Sequence, residues 1–88
     1  MKTIEKKTWP DLFEKIMSGD KKFDVRLADT DYQVGDILIL REWDPAKKDY
    51  TGRQMEKRIS FALKLNELEK FFPKEQIEKH GFVVMSLE

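Results

Sequence analysis

The sequence predicts an α+β domain in which strands dominate: a strongly curved mixed sheet of about five strands, or a small barrel, with two or three short helices. Three observations predict it. Residues 22–27 and 53–63 alternate apolar with polar, the period of a half-buried strand. The runs 37–40 and 82–87 are apolar enough for strands buried within a sheet. Helical spacing is confined to two short stretches that lie between strands. That order favours a curved sheet or barrel over a doubly wound one.

Residues 2–7 are polar with Ile4 as their one apolar anchor, and are read as a strand. Trp9-Pro10 then opens a helix, because proline suits the first helical position. Leu12, Phe13, Ile16 and Met17 fall on one face, and Gly19 is the stop, where a left-handed residue is needed. Trp9 is assigned to the core or to a staple at the helix start. In the next strand, 22–27, Phe23, Val25 and Leu27 point one way and Lys22, Asp24 and Arg26 the other. Asp29-Thr30-Asp31 and Val34-Gly35-Asp36 are turns. Ile37-Leu38-Ile39-Leu40 is a strand continued by Glu42-Trp43. The loop 44–49, closed by Gly52, joins it to the alternating run 53–63 in a long hairpin. Residues 66–79 are helical, with Leu68, Phe71 and Phe72 inward and Pro73 interrupting the helix or starting a second one. Gly81 ends it, and 82–87 form the last strand.

Eighty-eight residues make one domain, 1–88, which buries only about 60% of its unfolded surface and so has a thin core. There is no cysteine, which excludes disulfides and thiolate metal sites. The single histidine, His80, argues against a conventional zinc site and suits a helix C-terminal cap. No metal or cofactor is expected. Seventeen Lys and Arg balance seventeen Asp and Glu, which argues against nonspecific coating of nucleic acid but leaves room for a local basic cleft. No stretch has the length of a signal peptide's apolar region or of a membrane span, so a cytoplasmic, monomeric protein without a membrane partner is expected.

Residues 19–26 carry the strongest functional signal. A helix stops at Gly19, a strand begins near Lys22, and Lys21 sits at its mouth. Asp24 and Arg26, two apart on one strand face, can pair. A Lys and an Arg at one edge can also hold a phosphate or carboxylate. Lys21 is out of phase with the other two and joins them only if the chain is still turning there. The bland alternative is a solvated charged face.

The stretch reads Gly-x-Lys-x-x-Asp-x-Arg, which resembles the Gly-x-Lys-x-x-Glu-x-Arg signature of ASCH domains in the PUA-like superfamily. The resemblance extends to the apolar helix ahead of Gly19, the Val34-Gly35-Asp36 turn, Glu42-Trp43, Tyr50-Thr51-Gly52-Arg53 and the closing Phe82-Val83-Val84. It implies a PUA-like barrel with a cleft between barrel and helices, walled by Lys21, Asp24 and Arg26. It also implies an RNA, nucleoside or nucleotide ligand. Some small ASCH proteins of similar length hydrolyse N4-acetylcytidine, with a Lys in the position of Lys21, a Thr in that of Asp24, and a distal Glu. By that resemblance Lys21 and Asp24 become catalytic candidates for an amidohydrolase. A carboxylate at position 24 can serve water as a base but cannot inherit a hydroxyl's role. Glu67, Glu69, Glu75 and Glu78 are equal candidates for the distal Glu.

Three further residues are weighed as ligand contacts. Glu42 can accept from a base edge, pair with Arg26, or stay solvated. Trp43 can stack on a base or pack beneath the 44–50 loop. Arg53 adds positive charge on the hairpin. Two functions compete: an RNA- or nucleotide-binding module, and the small amidohydrolase.

Overall fold

A computed structural model describes residues 1–88. Its elements are β1 (Thr3–Thr8), α1 (Pro10–Ser18), β2 (Ile37–Asp44), β3 (Asp49–Arg58), a 3-10 helix at Leu65–Lys70, and α2 (Lys74–His80). In α1, Pro10 takes the first position, Asp11 sits in the first turn and Lys15 in the last, all favourable to the helix and its dipole. Gly19 ends the helix at φ +88°, and its N–H donates to the Ile16 carbonyl at 3.2 Å. Only glycine enters that region without strain.

The sheet order is β1-β2-β3. β1 runs parallel to β2, with Thr3 opposite Ile37 and Thr8 opposite Glu42. A parallel pair needs a crossover, and α1 with the chain to Asp36 supplies it. β2 and β3 form an antiparallel hairpin whose register shifts between Arg41 and Trp43. Leu38, Leu40 and Glu42 alternate on the buried face of β2. Ile16 of α1 packs on Leu38 and Leu40, and Ile4, Tyr32, Met55 and Ile59 surround that seam. Phe13 is wholly buried.

Only seven residues are buried, and three of them are polar: Thr8, Asp36 and Glu42. Buried polar groups need partners. Asp36, just before β2, accepts from the Lys2 N–H at 2.9 Å, the Lys2 ammonium at 2.6 Å and the Gln33 N–H at 3.0 Å. It thereby fixes the start of β1 against the start of β2. Glu42 holds the other end.

The expected barrel of about five strands is not formed. The sheet is open, mixed and three-stranded. Residues 22–27 and 82–87 are not strands, and β3 stops at Arg58 rather than reaching residue 63. The reason for the first difference is local. Segment 22–27 lies beside the outer edge of β1 but meets it through side chains: the Arg26 guanidinium donates to the Lys7 carbonyl at 3.0 Å. Likewise the Lys22 N–H donates to the Ser86 hydroxyl at 3.0 Å instead of to a strand carbonyl. The alternation of 22–27 is also broken: Phe23 and Arg26 are half-buried, while Val25 and Leu27 are 55% and 81% exposed. Phe71, Phe72 and Trp9, assigned to the core by pattern, are exposed. Pro73 caps α2, so the helical stretch 66–79 is two pieces.

Leu40→Ala is expected to cost about 3 kcal/mol, as for a well-packed buried leucine. Leu27→Ser is expected to stay within about 0.5 kcal/mol, as for an exposed position. Urea denaturation of the two variants measures both. A large loss for Leu27→Ser would restore 22–27 as a core strand.

Candidate functional site at the carboxyl end of the parallel strands

The ladder between β1 and β2 ends at the Thr8–Glu42 pair, and three groups of side chains meet around it. The first centres on Glu42, which is 4% exposed. Opposite it, three residues of β3, Thr51-Gly52-Arg53, face one residue of β2. Gly52 adopts φ +96° within this bulge. Such a bulge re-aims the side chains beside it, and here both flanking residues reach the same carboxylate. The Thr51 hydroxyl donates to Glu42 Oε1 at 2.6 Å. Arg53 Nε donates to Oε1 at 2.9 Å and its terminal nitrogen to Oε2 at 2.7 Å. The same guanidinium pairs with Glu14 of α1 and lies 4.9 Å over the Phe13 ring. The bidentate bonds from Arg53, then that from Thr51, hold the Glu42 carboxyl at about 2, against burial, which pushes it up. Arg53 is raised in turn, by Glu42 first and then Glu14.

The second group is Lys21, Asp24 and Arg26. The chain is still turning at Lys21, whose N–H donates back to the Lys15 carbonyl at 2.9 Å. Its ammonium therefore comes into line with the other two. It donates to the Phe23 carbonyl at 2.6 Å and to Asp24 Oδ1 at 3.3 Å. Arg26 Nε donates to Asp24 Oδ2 at 2.7 Å. The rest of the Arg26 fork donates to the Lys7 carbonyl and, at 3.2 Å, to the Thr8 hydroxyl. Asp24 is thus a bridge between two cations, and Arg26 is pinned to the end of β1.

The third group lies on the opposite face of the sheet. Trp43 and Tyr50 meet edge to face at 5.0 Å. The Lys7 ammonium sits 3.8 Å over Trp43, and the Arg41 guanidinium 3.8 Å over Tyr50. Beside them opens a groove of about 420 Å³ lined by Glu5, Lys6, Lys7, Arg26, Arg41 and Tyr50. A smaller one, of about 320 Å³, shares Lys6 and Arg26 and adds Val25, Leu27, Asp29 and Tyr32.

The expected trio Lys21, Asp24 and Arg26 therefore converges, and Glu42 converges with Arg53 rather than with Arg26. Trp43 is half-buried beneath Lys7, closer to the packing role than to a free stacking platform. Pattern reading passed over Lys6, Lys7 and Thr8 of β1 as a polar strand, and Thr51 as a turn residue. A parallel pairing of β1 with β2 was the missing signal, since only that register brings Thr8 to Glu42. Glu67, Glu69, Glu75 and Glu78 all lie on the 3-10 helix or α2, away from the sheet end. No three His, Cys, Asp or Glu side chains gather where they could hold a metal ion, and no helix is long and apolar enough to cross a membrane.

Glu42 and Asp36 make stability acid-labile in a defined window. Asp36 is also held at about 2, chiefly by the Lys2 ammonium and N–H. Both folded values lie below the ordinary ones of 4.5 and 3.8, so the unfolded chain binds protons first. Their contribution is complete above about pH 5 and is lost as pH falls to about 2. Glu42→Gln is expected to lower Tm at pH 7 by about 5 °C, the effect of weakening a pair between a buried carboxylate and a half-exposed guanidinium in a domain this small. The variant and parent should converge by about pH 2. Thermal melts from neutral pH down to that point check this, and a constant difference at all pH values would show that Glu42 is not held charged.

Comparison with known proteins adds a family without a chemistry. Residues 3–87 match the family described as a domain of unknown function, DUF3850. An uncharacterised 12.9 kDa protein in the GpA 3′ region of Escherichia phage P2 is 36% identical over 55 residues, 62% of this chain and 49% of that protein. The chain thus aligns with about half the length of this phage relative. No solved structure matches. The match across 3–87 takes in both charged groups and the groove between them, and the chain belongs to the DUF3850 family.

Proposed function

We propose that the chain binds RNA or a nucleotide through the basic groove beside Arg26, holding phosphate oxygens without cleaving a bond. The charge of the groove carries the reading. Lys6, Lys7, Arg26 and Arg41 line it against a single carboxylate, Glu5, on a chain of zero net charge. Lys6, Lys7 and Arg41 take part in none of the ion pairs of the fold. Guanidinium and ammonium groups gathered in this way suit phosphate. Lys21 and Asp24 support the site from behind by fixing Arg26.

The resemblance of residues 19–26 to the ASCH signature points to the same class of ligand. Binding is favoured over amide hydrolysis because both Asp24 oxygens are engaged in a bridge between Lys21 and Arg26 that orients the Arg26 fork. Single-stranded or looped RNA is the form whose bases are accessible beside such a groove. The reading takes the protein to be a cytoplasmic monomer.

Fluorescence anisotropy with a short labelled single-stranded RNA tests it. Affinity is expected to fall with salt. Lys7→Ala combined with Arg41→Ala should weaken binding and reduce the log–log salt slope by about 1.4, roughly 0.7 for each phosphate left without its cation. No binding at low salt, or a slope unmoved by the double substitution, would sink the proposal.

A further inference from the structure

The smaller cavity has a different chemistry from the groove it adjoins. It is lined by Val25, Leu27 and Tyr32 together with Asp29, Lys6 and Arg26. Val25 and Leu27 are apolar side chains left exposed, at 55% and 81%. The Tyr32 hydroxyl is the one buried side-chain polar atom in the chain without a hydrogen-bond partner. That atom is sealed from solvent, so Tyr32 offers the cavity its ring as an apolar wall and not its hydroxyl. Lys6 and Arg26 line both cavities, so a ligand held by its phosphate in the larger one enters the smaller one past these two cations.

We infer that the two cavities form one nucleotide site, with the phosphate in the basic groove and the base in the Val25–Leu27–Tyr32 pocket, read by Asp29. This rests on the phosphate-binding reading above and adds selectivity to it. Apolar and aromatic walls suit the faces of a base. An ionised carboxylate only accepts hydrogen bonds, so it favours a base that carries an exocyclic amino group, as cytosine and adenine do. Uracil presents a carbonyl oxygen at the equivalent place, and two acceptors repel. The base pocket is built from segment 25–32, and Asp24, which does not line it, positions Arg26 at its edge.

Anisotropy titrations with labelled r(C)5, r(A)5 and r(U)5 at low salt test this, because the three strands carry the same number of phosphates. The cytidine and adenosine strands are expected to bind about tenfold more tightly than the uridine strand, the discrimination of one hydrogen bond to a charged group. Asp29→Asn, on an exposed turn, should abolish that difference. Leu27→Ser, which removes an apolar wall at an exposed position, should weaken the cytidine and adenosine strands while leaving Tm nearly unchanged. Equal affinity for the three strands, or a difference that survives Asp29→Asn, would overturn the base pocket and leave the phosphate groove standing. Unchanged affinity in Leu27→Ser would overturn it as well. No affinity for any strand would overturn both readings.

Discussion

A carboxylate taken out of water must find partners or give up its charge, and Glu42 keeps its charge. Every neighbouring element contributes to that. β3 bulges at Thr51-Gly52-Arg53 so that two of its side chains reach one carboxylate. α1 enters through Glu14, the second partner of Arg53, and through Phe13, whose ring lies under the guanidinium. β1 lies alongside, Thr8 opposite Glu42. The end of the sheet is thus organised around one anion, as its beginning is around Asp36. With few apolar residues fully buried, these two carboxylates do for the register of β2 what a larger hydrophobic core does in a longer chain.

Charge pairing also separates the cations into two sets. Arg53, Lys2, Lys21 and the Nε edge of Arg26 are matched by carboxylates at close range. Lys6, Lys7 and Arg41 are not. Lys7 and Arg41 lie instead over Trp43 and Tyr50, which hold a cation in place without neutralising it. A zero net charge over the chain therefore hides a local excess at the edge of the sheet. This is why composition excludes a protein that coats nucleic acid and still permits a confined anion site.

The legible parts of this chain were those set by local chemistry. Pro10 and Gly19 bound α1 where the sequence places it, and the 37–44/49–58 hairpin follows from an apolar run, a turn and an alternating run. By spacing Lys21 is out of phase with Asp24 and Arg26, so their convergence was legible only on the condition that the chain is still turning at Lys21, which it is. What was not legible depends on distant pairing. The Thr51 and Arg53 contacts need a bulge whose partner lies nine and eleven residues away. The groove needs β1 beside β2, across an intervening helix. Residue pattern made 22–27 and 82–87 strands of a curved sheet or small barrel, because it records which faces a strand would have and not whether an edge is there to receive it.

The outward turn of Val25 and Leu27 shows which force prevailed. Turning them inward would have buried apolar surface, at about 25 cal/mol for each Å². It would also have pulled Arg26 from the Lys7 carbonyl and the Thr8 hydroxyl and separated Asp24 from its cations. Thr8 is itself buried, so its hydroxyl would have been left without its donor as well. A buried polar group stripped of its partner costs as much as a modest apolar gain returns. The charged side therefore faces β1, where it also covers part of an outer edge that would otherwise invite pairing with another chain. The apolar side chains left outside are a consequence of that arrangement, and they stand beside the groove in which unpaired cations gather. The exposed Val25 and Leu27 thus follow from the placement of Arg26 that gives the Lys7 carbonyl and the buried Thr8 hydroxyl their donor.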